Sequence, residues 1–81
     1  MDSPHYETVE RILVDTFGVP DDQVGPDATF ESLELDSLDL VEMTLAVEEE
    51  TGVTIEDEEL EGVRTVGDAV KLIDEKAKVQ A

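Results

Sequence analysis

The sequence predicts an all-α fold, a small four-helix bundle of three main helices and one short helix, with a long first loop. Three observations carry this. Apolar residues recur at helical spacing in three separate stretches, start and stop residues mark their ends, and a segment punctuated by Gly and Pro separates the first stretch from the second. At 81 residues the chain can bury only about 60–65% of its unfolded surface, which leaves room for one core. A single domain over residues 1–81 is therefore expected.

The first helix is expected over residues 4–17. Ser3 is a suitable N-cap, and Pro4 sits at the first helical position, where its missing N–H costs nothing. Tyr6, Val9, Ile12, Leu13 and Phe17 follow helical spacing, and Gly18 ends the run. From Gly18 to Asp36, Pro20, Gly25 and Pro26 lie among Asp and Thr, which reads as a loop with one turn around residues 21–24. A loop this long needs anchors, and Val24, Phe30, Leu33 and Leu35 are the apolar residues available. Asp36 starts the second helix as N-cap, with Asp39 three residues later and Gly52 as the stop, giving a span of about 37–51. The acidic segment 56–61 is expected to form the short helix, about 57–62, with Leu60 facing inward. Thr65 caps the last helix, about 66–78, with Asp68 at its third position. Val66, Ala69, Val70, Ile73 and Ala77 form its apolar stripe, and residues 78–81 are expected to fray.

Composition narrows the function. Twenty-three Asp and Glu against five Lys and Arg give a formal charge of −18, which disfavours nucleic acid and anionic membranes and favours basic protein partners. There is no cysteine, so disulfides, thiolate metal sites and a thiol nucleophile of the chain's own are excluded. No apolar run approaches the ~20 residues that cross a bilayer, and residues 1–7 lack the basic and apolar regions of a signal peptide. A cytoplasmic location is expected. His5, the sole histidine, lies near the N-terminus, where a solvated side chain is expected rather than a catalytic base. No catalytic residues are assigned, and the chain is expected not to be an enzyme. Asp21-Asp22 and Glu56-Asp57-Glu58-Glu59 suggest an alternative, an acidic divalent-cation-binding interaction protein. Both clusters lack the alternating ligands and central Gly of an EF-hand, so no specific metal site is expected.

The second helix carries the functional signal. At about 100° per residue its apolar side chains fall on two stripes, Leu40, Met43 and Val47 on one side and Leu38, Val41 and Leu45 on the other. Burial on both sides would explain this in a small bundle. Glu42, Glu48 and Glu49 flank the second stripe, however, and five basic residues cannot neutralise so many buried carboxylates. An apolar centre in a charged rim is the pattern of a protein interface. Ser37, at the first helical position beside this stripe, lies among free backbone N–H groups, where a phosphodiester would gain roughly 0.3–1 kcal/mol.

Leu35-Asp36-Ser37-Leu38, continuing Asp39-Leu40-Val41-Glu42-Met43, resembles the phosphopantetheine attachment motif of acyl carrier proteins. The likeness extends through Ala46-Val47-Glu48-Glu49-Glu50, the short acidic helix near Ile55, and Thr65-Val66-Gly67-Asp68-Ala69, in the order of the free-standing members of that family. The resemblance implies a 4′-phosphopantetheine arm from coenzyme A, attached covalently to Ser37 by a phosphopantetheinyl transferase with Mg²⁺. The arm's thiol would hold acyl groups as thioesters in fatty acid or polyketide biosynthesis. Asp36 would position the serine. Leu38, Asp39, Val41, Glu42, Leu45, Glu48 and Glu49 would form the recognition face for ketosynthase, acyltransferase and other synthase enzymes with basic docking patches. Met43, Val47, Ile55, Leu60 and Val63 would line the space for a folded acyl chain, although core packing explains each of them equally. A monomer is implied. A peptidyl or aminoacyl carrier shares the arm and the serine and stays an alternative. One departure is Glu34, two residues before the aspartate, where many members of that family have Gly.

Overall fold

The helical stretches form α1 (Pro4–Phe17), α2 (Ser37–Thr51) and α3 (Val66–Gln80) in a computed structural model that describes residues 4–80. Two 3₁₀ segments, Asp21–Gln23 and Asp57–Gly62, lie in the connections. The bundle is all-α as the sequence predicts. The expected Ser3 cap and the expected fraying at Ala81 lie outside the described residues.

Each α-helix contributes its apolar stripe to one shared core. α1 buries Val9, Ile12 and Leu13 and packs against both α2 and α3. Gly18, at φ 71°, turns the chain out of α1, a conformation that glycine adopts without steric cost. The Val19 N–H then donates to the Leu13 carbonyl at 3.0 Å, and the Val19 side chain joins the core. α3 buries Val66, Ala69, Val70 and Ile73. It continues to Gln80, so the fraying expected from Lys78 onward does not occur at residues 78–80. Ala77 packs on the core and Lys76 pairs with Glu59 at 2.8 Å, which holds the last turns.

The long loop is held by burial and by backbone. Phe30 is buried, and Val24, Leu33 and Leu35 pack against the core with Ala28. Thr29 and Thr65 form an isolated antiparallel bridge. Around it, the Phe30 N–H donates to the Arg64 carbonyl at 3.0 Å and the Val66 N–H to the Ala28 carbonyl at 2.9 Å. The Gly67 N–H adds a bond to the Pro26 carbonyl at 2.9 Å. A Cβ on residue 67 would lie 2.8 Å from that same oxygen, so this close approach requires glycine. From Thr29 the chain winds through a tight turn. There Leu33 N–H bonds the Thr29 carbonyl, Glu34 N–H that of Glu31, and Leu35 N–H that of Phe30, at 2.9–3.2 Å.

The expected short helix occurs over Asp57–Gly62, in 3₁₀ form, and Leu60 is half-buried but stands outside the core cluster. A run of four acids tightens the segment through Glu59, whose carboxylate accepts from the Glu56 N–H at 3.1 Å and from Lys76. His5 departs from expectation, since its side chain is half-buried rather than free in solvent. Its ring nitrogen Nδ1 pairs with Asp74 and so joins the start of α1 to α3. Arg11 pairs with Glu50 in the same way between α1 and α2.

Self-repulsion at −18 does not expand the chain. The Cα radius of gyration is 11.3 Å, against about 11.7 Å expected for a compact domain of this length. Carboxylates stay at the surface, and Thr44 is the buried polar side chain among the described residues. Its hydroxyl donates to the Val41 carbonyl at 2.7 Å.

Candidate functional site

The site is built on the N-terminus of α2. Asp36 caps it, accepting the Asp39 N–H at 3.0 Å, while the Asp39 carboxylate accepts the Asp36 N–H at 3.1 Å. This reciprocal box fixes the first turn and commits Asp36 and Asp39 to one another. The N–H groups of Ser37 and Leu38 lie ahead of the first intrahelical bond, which runs from Leu40 to the Asp36 carbonyl at 3.1 Å. They are therefore available to an anion beside Ser37. Ser37 itself is exposed, as is Asp36.

Of the two stripes on α2, one is core and the other is not. Met43 and Val47 are fully buried and Leu40 packs beside them. Leu38 is 73% exposed and Leu45 57% exposed, an arrangement that burial on both sides does not produce. Val41 between them is half-buried. Glu42, Glu48 and Glu49 are exposed around the stripe, and Asp39 is half-buried through its capping bonds. Ser37, Leu38, Val41, Glu42, Leu45, Glu48 and Glu49 thus belong to one continuous outward surface along α2, with Asp36 and Asp39 at its start.

Two cavities open beside Ser37. One, of about 380 Å³, is a groove between residues 29–31, residues 63–64 and the start of α2, walled by Phe30, Leu35, Leu40 and Val63 with Arg64 at its side. The other, of about 210 Å³, lies between α2 and the 57–62 segment and is lined by Leu40, Val41 and Leu60, with Asp57 and Glu61 at its edge. Met43 and Val47 belong to the core rather than to either cavity; Ile55 packs on the core, and Leu60 and Val63 each reach a cavity. An exposed hydroxyl, two uncommitted N–H donors and adjoining space fit a bulky phosphodiester at Ser37.

Asp68 holds the far side of the groove. Its carboxylate lies below the usual carboxylate range because the backbone N–H groups of Arg64 and Thr65 donate to it, both at 3.3 Å. The Thr65 hydroxyl in return accepts the Asp68 N–H at 3.0 Å, completing the expected cap of α3. Glu59 is likewise held low, first by its hydrogen bond from Lys76 and then by the Glu56 N–H. No group of three or more His, Cys, Asp or Glu is arranged to hold a metal ion among the described residues.

Arg64 and the groove were not legible in the sequence. Arg64 reaches the Ser37 region only through the Thr29–Thr65 bridge, and a pairing between a loop and a helix start leaves no local pattern.

A small all-α domain that presents a serine at the tip of its central helix, beside a charged outward face, has the form of a carrier domain. Residues 7–73 match the family described as "Phosphopantetheine attachment site". The chain is 52% identical over 75 residues to an acyl carrier protein of Petrotoga mobilis, covering 91% of this chain and 88% of that protein. Its fold matches the crystal structure of an acyl carrier protein from Thermotoga maritima with a TM-score of 0.82 and 27% identity, over 93% of this chain and 88% of the other. The chain belongs to the acyl carrier protein family, whose members are carriers rather than catalysts and hold a covalent 4′-phosphopantetheine group.

Proposed function

We propose that residues 1–81 act as one carrier domain with Ser37 as the attachment residue, carrying acyl intermediates as thioesters in fatty acid or polyketide biosynthesis. The observation that carries this reading is the exposure of Ser37 at a capped helix N-terminus, with free N–H donors and open space beside it. A separate phosphopantetheinyl transferase makes the attachment. The Ser37 Oγ attacks the β-phosphorus of coenzyme A, the bond to adenosine 3′,5′-bisphosphate breaks, and the serine proton passes to a base on the transferase. Asp36 positions the serine by fixing the first turn of α2. When bound, the arm supplies the thiol that a chain without cysteine lacks.

The outward face of α2 is the docking surface in this reading. Leu38, Val41 and Leu45 supply the apolar centre, and Asp39, Glu42, Glu48 and Glu49 supply the rim that attracts basic patches on the transferase, ketosynthase and acyltransferase. The chain acts as a monomer in the cytoplasm, taken up by one enzyme at a time.

The test is intact-mass analysis after incubation with coenzyme A, Mg²⁺ and a broad-specificity transferase. One phosphopantetheine is added to the wild type and none to Ser37→Ala; addition to both, or to neither, overturns the assignment. Reversing Glu42 and Glu48 to Lys slows the transferase by about 10-fold or more, mostly through association, while the circular dichroism spectrum is unchanged. Wild-type rates would remove the recognition role.

A further inference from the structure

Cations are scarce in this molecule, and one of them is placed beside Ser37. Arg11 is paired with Glu50 and Lys76 with Glu59. Lys71 lies near Asp68, and Lys78 is in the last turn of α3. Arg64 has no side-chain ion pair among the described residues, is exposed, and shares the 380 Å³ groove with Ser37. Its backbone is fixed at both ends, the carbonyl by the Phe30 N–H at 3.0 Å and the N–H by Asp68 at 3.3 Å. The guanidinium therefore starts from a rigid base on the wall of the groove.

The lining of the groove is also specific. Glu31 and Asp36 lie on it, so an anion entering without a cationic partner would be repelled. The remaining wall is apolar, with Leu40 and Val63 among its side chains. A 4′-phosphopantetheine group begins with a phosphodiester and continues through a carbon bearing two methyl groups. One cation beside an apolar wall, within a groove that contains the attachment residue, matches that order of groups.

We infer that this groove is a resting site for the near end of the arm, in which Arg64 pairs with the phosphodiester and Leu40 and Val63 receive the two methyl groups. This rests on the assignment of Ser37 above. Covalent attachment holds the ligand next to its site, so a weak contact suffices to bias the arm. An exposed charge pair of this kind changes the docked population about two- to fivefold. The bias favours one exit direction for the arm, over the 63–64 wall rather than across the outward face of α2.

The test uses the full chain, isotope-labelled, loaded with coenzyme A and transferase and verified by intact mass. Loading shifts the Arg64 Nε–H resonance, and cross-relaxation appears between the arm's methyl protons and the methyls of Val63. In loaded Arg64→Gln that cross-relaxation falls about two- to fivefold, and Arg64→Lys recovers part of it. A loaded protein with an unmoved Arg64 Nε–H resonance and equal cross-relaxation in Arg64→Gln overturns this inference alone. Absence of any mass gain overturns the Ser37 assignment and this inference with it.

Discussion

Glu34 is the one non-glycine residue at positive φ among the described residues, at 62°. Holding a side chain in that left-handed region costs roughly 1–2 kcal/mol, because Cβ crowds the following carbonyl. Glycine escapes the crowding but gives the unfolded chain extra freedom, which offsets about 0.4–1 kcal/mol of the gain. The Glu34 side chain is exposed, and its N–H bond to the Glu31 carbonyl at 3.0 Å survives any substitution except proline. Glu34→Gly therefore stabilises the fold by about 0.5–1 kcal/mol. Removing a carboxylate from a chain at −18 also helps, so Glu34→Gln serves as the control. It removes the charge and keeps the strain. In urea, with a slope of about 1 kcal/mol/M for a small domain, the Gly variant unfolds at a midpoint about 0.5–1 M above that of the Gln variant. Equal midpoints, or a lower one for Gly, would show that the tight turn before Ser37 stores no backbone strain.

Gly67→Ala tests the seam between loop and α3. The added methyl meets the Pro26 carbonyl oxygen at 2.8 Å, so the seam opens and the Tm falls by about 5–15 °C despite alanine's better helix propensity. For pH, Asp68 and Glu59 are both held below their ordinary values. Their stabilisation is therefore complete at neutral pH and is lost as pH falls through their lowered folded values. The stability gap between wild type and Asp68→Asn should shrink as pH drops from 7 to below about 4, measured as paired thermal melts; a gap that widens on acidification refutes the assigned direction. Millimolar Mg²⁺ or Ca²⁺ should raise the Tm beyond a NaCl control of equal ionic strength by relieving self-repulsion, and identical melts would count against that cause.

The features legible in the sequence were those with a local chemical signature. Asp36 and Gly52 bound α2 because a side-chain acceptor and a left-handed cap are needed at its two ends, and the caps occur there, with Gly52 at φ 77°. The two stripes of α2 were legible because the acids flanking Leu38 and Leu45 have too few cations to be buried with. Phe30 was legible as an anchor because it is large, apolar and alone among polar neighbours. What stayed hidden depends on residues distant in sequence. The bridge between Thr29 and Thr65, the pairing of His5 with Asp74, and the grip of Lys76 on Glu59 that helps α3 run on to Gln80 all join separate segments. The 3₁₀ form of 57–62 was hidden for a different reason, since six residues are too few for periodicity to separate two helix types. Glu34 stands where many members of the family have Gly, and its φ of 62° is a conformation that glycine adopts without steric cost.

The knot of bonds at Thr29 splits the first connection into two parts with different tolerances. Upstream, the exposed turn at residues 20–23 is held by its own local bonds before Val24 returns to the core, and inserting two or three residues there costs only a few tenths of a kcal/mol by loop-closure entropy. Downstream, the turn from Thr29 to Leu35 works as a ruler, since each of its bonds sets where the next residue falls and the last sets where Ser37 emerges. A single inserted residue there would move the serine by a whole position around the helix end. Length variation in this chain is therefore tolerated in the exposed turn at 20–23 and disabling between Thr29 and Leu35.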